Sequence, residues 1–96
     1  MIQYNVDTER FDVVVGSIAG WMEFNPEEGY IHGIYISPEF RKRGLAEACI
    51  AFAKETTLLF PLVIEITNPV LYHVAERNGF VRVESVMRDS ARYEFA

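Results

Sequence analysis

Apolar and polar residues alternate along the first third of the chain. Ile2, Tyr4 and Val6 share one face of a short strand over Ile2–Val6, and Asp7-Thr8-Glu9 reads as a turn. Phe11 to Val15 is apolar and β-branched, as a second strand should be. Gly16-Ser17 predicts a two-residue hairpin loop, because Gly at the first loop position suits a type II′ turn. Ile18 to Phe24 then pairs back, Asn25-Pro26-Glu27-Glu28-Gly29 is a loop, and Tyr30 to Ser37 is a fourth strand. These four segments read as an antiparallel meander.

The period changes after Pro38. Leu45, Ala48, Cys49 and Phe52 fall on one face of a helix over Gly44 to Thr56. Leu62 to Thr67 is nearly all apolar, as in a strand buried on both faces. Asn68-Pro69 predicts a second helix with Asn as N-cap and Pro at its first position, running to Arg77 and stopped by Asn78-Gly79. Phe80 to Met87 and Arg92 to Phe95 read as strands around an Arg88-Asp89-Ser90 turn. The order β-β-β-β-α-β-α-β-β predicts a single α/β domain over residues 1–96, a mixed (α+β) sheet with helices on its faces.

The chain's 96 residues leave room for one small core and no elaborate lid. With one cysteine, no apolar run near ~18 residues and no basic-then-apolar leader, a soluble cytoplasmic protein is expected, with no membrane partner. The net charge of −5 argues against general nucleic-acid binding. Residues 1–40 carry seven acids and one base (net −6), whereas residues 41–96 carry eight bases and seven acids (net +1). The acidic half suits a cationic acceptor; the basic triplet Arg41-Lys42-Arg43 suits an anionic ligand.

That triplet sits in a telling place. Ile34-Tyr35-Ile36-Ser37-Pro38-Glu39-Phe40 leads out of a strand, and Arg41-Lys42-Arg43-Gly44-Leu45-Ala46 leads into a helix. Backbone N–H groups at a helix start make an anion site, and Gly44 and Ala46 let a ligand come close. The chain lacks the G-x-x-x-x-G-K-[ST] and G-x-G-x-x-G loops, which excludes NTPase and Rossmann readings. An exposed βα turn with solvated charges is the bland alternative.

Arg41-x-x-Gly44-x-Ala46 resembles the [QR]-x-x-G-x-[GA] motif of the GNAT family of N-acetyltransferases, and Asn68…Gly79-Phe80 resembles their N-x₁₀-G-F segment. The likeness covers roughly Val13 to the C-terminus. It implies a GNAT-like fold and an acyl-CoA cofactor, in most members acetyl-CoA, with an amine or protein acceptor. By that resemblance, the backbone of Ile34, Tyr35 and Ile36 would pair with the pantetheine arm where strands 4 and 5 splay. The turn Arg41, Lys42, Arg43, Gly44, Leu45, Ala46 would hold the pyrophosphate, and Asn68 would face the cofactor. The activity implied is acyl transfer to an amine, possibly a protein lysine. The alternative is an inactive module that docks on a protein partner. The economy of the chain suits a small phage-like protein.

Three departures from the pattern stand out. The two helices that normally follow the first strand are missing, with only Asp7 to Arg10 in their place, which leaves the acceptor side open. The usual Tyr acid falls at Ala75, so Tyr72, one helical turn earlier, is the candidate acid, with packing as its alternative role. The usual strand 4 carboxylate falls at Tyr30. His32, two residues on, is the candidate base, as in the arylalkylamine N-acetyltransferases, with Glu28 behind it. Cys49 reads as a core thiol, and Trp21, Phe24, Phe52 and Phe60 as core or sheet-face packing. Glu65 reads as an edge or interface group, and no metal site is expected. The last two strands should leave a sheet edge guarded by Arg82, Glu84, Arg88 and Arg92, or covered in a homodimer.

Overall fold

The computed structural model describes residues 1–85 and 88–96. Among these residues seven strands form one mixed sheet in the order β1-β2-β3-β4-β5-β7-β6. They are β1 (Ile2–Asn5), β2 (Arg10–Val15), β3 (Ser17–Asn25), β4 (Tyr30–Ile36), β5 (Leu62–Ile66), β6 (Val81–Val83) and β7 (Ala91–Phe95). Helix α1 spans Leu45–Thr56 and α2 spans Val70–Arg77, and a 3₁₀ turn over Pro38–Phe40 precedes α1. The predicted α/β order holds; the boundaries tighten. Gly16 turns the first hairpin alone at φ +73°, and Ser17 already pairs with Val15. The last residues of the strand expected over Phe80–Met87, Val86 and Met87, lie outside the described residues.

The helices do not take both faces. Cross-strand partners share a face, so the register Phe24↔Ile31, Ile31↔Ile64 and Ile64↔Tyr93 defines one side of the sheet. On that side α1 sets Phe52 against Phe11 (5.2 Å between rings), and α2 sets Tyr72 against Tyr93 (5.8 Å). Lys54 of α1 donates to the Asn78 carbonyl at the end of α2 (2.9 Å), which fastens the helices together. The core, including Met22, Ile31, Ile50, Leu62, Ile64 and Tyr93, lies in this single layer. Cys49 belongs to it, and burial pushes its thiol up to about 12, so it stays protonated at neutral pH.

The other face carries no helix among the described residues. Trp21 stacks on Tyr35 (4.6 Å), with Arg10 over Trp21 (4.7 Å) and Arg41 beside Tyr35 (5.9 Å). Phe60, expected as packing, is half exposed against Phe95.

Two edge expectations need correction. β7 lies between β5 and β6, so only the short β6 forms that end of the sheet. Arg92 therefore guards no edge; it reaches Glu65 (3.5 Å) and Glu94 (3.3 Å). Glu65 is no edge group either. It sits on central β5 at 8% exposure, accepting from Ser90 (2.8 Å) and Ser85 (3.2 Å). Those bonds tie Ser85 and Ser90 to β5.

Candidate acyl-donor cleft

β4 and β5 run parallel but pair only at Tyr30↔Val63 and Ile31↔Ile64. Beyond Ile31 the strands part. On its other side β4 stays bonded to β3, and the Ser37 N–H donates to the Ala19 carbonyl (2.7 Å). Hydrogen-bonded pairs alternate along an antiparallel ladder. Ser37 and Tyr35 therefore spend their backbone groups on β3, while Ile34 and Ile36 turn theirs toward the gap. The carbonyl of Ile36 is taken by Arg41 Nε (2.8 Å). What remains is a short strand edge inside a cleft, a surface that an extended amide-bearing arm can pair with.

The head of the cleft is the β4–α1 turn. Pro38 starts the 3₁₀ turn, Lys42 has φ +65°, and Gly44 is the N-cap of α1 at φ +75°. A left-handed backbone is costly for a side chain, so glycine is placed there by conformation. Added bulk at Gly44 would meet nothing within 4 Å, so the space over it is open. The first intrahelical bond is Ala48 N–H to the Gly44 carbonyl (3.0 Å), with no side-chain cap. The N–H groups of Leu45, Ala46 and Glu47 thus point out of the helix without helical partners, an anion-binding arrangement.

The cavity has a volume of about 470 Å³. Ile34, Tyr35 and Ile36 line one wall; Arg41, Lys42, Gly44, Leu45 and Ala46 line the head. Asn68 stands at the exit of β5, where its Oδ1 accepts the Val70 N–H (3.1 Å). Pro69 is already helical at φ −56°, ψ −21°, so Asn68 caps α2 as expected. Nine of the ten residues expected around a cofactor thus line one cleft; Arg43 does not, and stacks on Phe40 (5.4 Å).

The fourth side was not foreseen. Val70, His73, Val74 and Arg77 recur at helical spacing along α2 and face the cleft. Arg77 forms an ion pair with Glu47 of α1, which bridges the two helices. The start and stop of α2 are legible in the sequence; which of its stripes meets α1 is not.

The two candidate proton-transfer residues lie elsewhere. Tyr72 points to β7 and β6, against Tyr93 and with Arg82 over its ring (5.2 Å), and does not line the cleft. Ala75 is fully buried in the core. His32 is the extra residue of a bulge, since Glu23 pairs with Gly33 and Phe24 with Ile31. Its ring lies 4.4 Å from that of Tyr30, and it lines a second opening of about 620 Å³ together with Glu9, Glu23 and Glu27. Among the described residues no Lys or Arg lines that opening. Glu28 is engaged with Asn25 Nδ2 (3.0 Å). Among the described residues no His, Cys, Asp or Glu group forms a metal cluster, and no helix is long and apolar enough to cross a membrane.

Comparison with known proteins follows the same lines. A model of the acetyltransferase (GNAT) family matches residues 3–80. A protein from Pyrococcus horikoshii has a similar fold, with a TM-score of 0.66 at 20% identity over 90% of this chain; the chain spans 63% of that protein. A protein of Agrobacterium tumefaciens described as an acetyltransferase is similar at TM-score 0.65 and 18% identity, over 88% of this chain and 71% of its own. An acyl-CoA N-acyltransferase from Pseudomonas aeruginosa follows at 0.60 and 22%, over 91% of this chain and 67% of its own. At these identities the likeness is one of fold. No curated protein sequence matches the chain.

Proposed function

The chain belongs to the GNAT acetyltransferase family, and from that premise we propose that it transfers an acyl group from acyl-CoA, with acetyl-CoA as the donor, to an amine. One observation carries the reading: the unpaired edge of β4 and the open amides of α1 face the same cleft, with Lys42 and Arg77 beside them. An extended amide arm ending in a pyrophosphate matches that layout.

Acyl-CoA, when bound, supplies a thioester carbonyl and a thiolate leaving group. The chain's part is positioning, a large share of the barrier in such transfers. The Ile36 N–H, turned into the cleft, is the donor proposed for the developing oxyanion. His32 lies four residues before Ile36 on β4, about 13 Å along the strand, and is the proposed base for the amine proton, acting through intervening water. Glu9, Glu23 and Glu27 around it favour a cationic acceptor, a lysine side chain or polyamine. Tyr72 keeps a packing role in this reading. A cytoplasmic setting is part of the proposal, supported by the single buried cysteine.

A second reading has its own support. With Ala75 buried and Tyr72 turned away, no acid stands where the family's Tyr would be, which favours a module that binds the donor but acts by docking on a protein. An acetyl-transfer assay on polyamines and lysine peptides separates the two. Turnover that falls in His32→Ala with unchanged acetyl-CoA affinity supports the enzyme; tight acetyl-CoA binding with no turnover on any amine supports the module.

A further inference from the structure

Among the described residues the donor cleft contains one carboxylate, and it stands in an awkward place. Glu47 is the third residue of α1, in the turn whose open N–H groups face the cleft. A phosphate seated on those groups comes within range of the Glu47 charge, and like charges at one helix start oppose each other. The partner of Glu47 is Arg77, the last residue of α2, which lines the same cleft. A guanidinium fork suits a carboxylate or a phosphate equally well in geometry. The pair is exposed, with side-chain accessibilities of 58% for Arg77 and 43% for Glu47, so it holds weakly and opens cheaply. Of the neighbouring cations, Arg41 Nε is bonded to the Ile36 carbonyl and Arg43 rests on Phe40, while Lys42 lines the head of the cleft on the β4–α1 turn and Arg77 closes it from α2.

We propose that Arg77 serves two anions in turn, held by Glu47 in the open cleft and passed to a phosphate of acyl-CoA on binding, so that Glu47 sets the donor affinity. This rests on the acyl-CoA reading above. The pair then acts as a latch between α1 and α2 that a phosphate-bearing donor releases.

The test is calorimetric titration of acetyl-CoA into the wild type, Glu47→Gln, Arg77→Gln and the double variant at low salt. Glu47→Gln should bind about threefold to tenfold tighter, and the gain should shrink near about 0.5 M salt. Arg77→Gln should bind about tenfold more weakly, and should still weaken binding when Glu47 is already Gln. Wild-type binding with no gain in Glu47→Gln overturns the latch alone. So does an Arg77→Gln effect that vanishes in the double variant, because Arg77 would then only neutralise Glu47. If none of the four binds acetyl-CoA, the acyl-CoA reading falls and the latch with it. Matching melting temperatures for the four proteins exclude misfolding as the cause.

Discussion

The donor cleft and the His32 opening meet on one strand, two residues apart, yet they are built differently. The donor cleft has four walls: β4, the turn over residues 38–44, and one face each of α1 and α2. Its polar groups are backbone amides fixed by a helix start, and the ion pair of Glu47 and Arg77 spans it. The His32 opening has one strand bulge, loop carboxylates and the rings of Tyr4, Phe11 and Phe24. Backbone sites are rigid because the fold holds them; side-chain sites on a sheet margin depend on what comes to cover them. The groups proposed for the donor are therefore held by the fold itself, whereas those proposed for the acceptor sit on an open sheet margin.

The largest expected effect breaks that comparison at its chemical end. His32→Ala should lower acetyl transfer by about 10²–10⁴-fold, the usual worth of a general base, while the acetyl-CoA dissociation constant stays within twofold. Steady-state rates and calorimetry read the two separately. Next comes the donor side. Gly44→Glu adds a side chain at φ +75° and a negative charge over the open amides. It should weaken acetyl-CoA binding by about 100-fold and lower stability by about 1–2 kcal/mol. A smaller effect belongs to Tyr72→Phe, which keeps the ring on Tyr93 and should change transfer by less than about threefold; a loss like that of His32→Ala would return Tyr72 to the chemistry.

The donor side was largely legible in the sequence because its logic is local. A glycine forced by positive φ, an Asn that caps the next helix and a nearly all-apolar β5 each declare themselves within a few residues. The acceptor side was less legible because its logic is not local. The bulge that sets His32 apart exists only through the register of β4 on β3. The roles of Glu65 and Arg92 appear only once β7 is known to lie between β5 and β6. Arg77 reached the cleft because α2 packs beside α1, a tertiary choice that its own pattern does not encode. The absence of helices after β1 was visible, but its result, a sheet face that carries no helix among the described residues and bears Trp21 and Tyr35, required the topology.

The smallest expected effect concerns pH and sharpens the contrast between the covered and the bare face. Burial raises the ionisation of Cys49 to about 12 and that of Tyr93 above its usual value; the bond from Tyr93 to Glu76 adds to the latter. Both groups stay protonated in the folded chain where the unfolded chain ionises. Their contribution is intact below the unfolded pKa and is lost as pH rises from about 9 toward 12. Melting temperatures should be level through neutral pH and fall above pH ~9, and Cys49 should resist thiol reagents at pH ~8 until the chain unfolds.

Acetyl-CoA binding is the claim on which the rest depends, and a thermal melt with and without millimolar acetyl-CoA tests it most directly. Binding to the folded state alone adds RT ln(1 + [L]/Kd), about 2.7 kcal/mol at a hundredfold excess over Kd, or a rise on the order of 10 °C for a domain of this size. A rise of that order in the wild type, absent in Gly44→Glu, is the expected result. Identical wild-type melts with and without the cofactor would contradict the account.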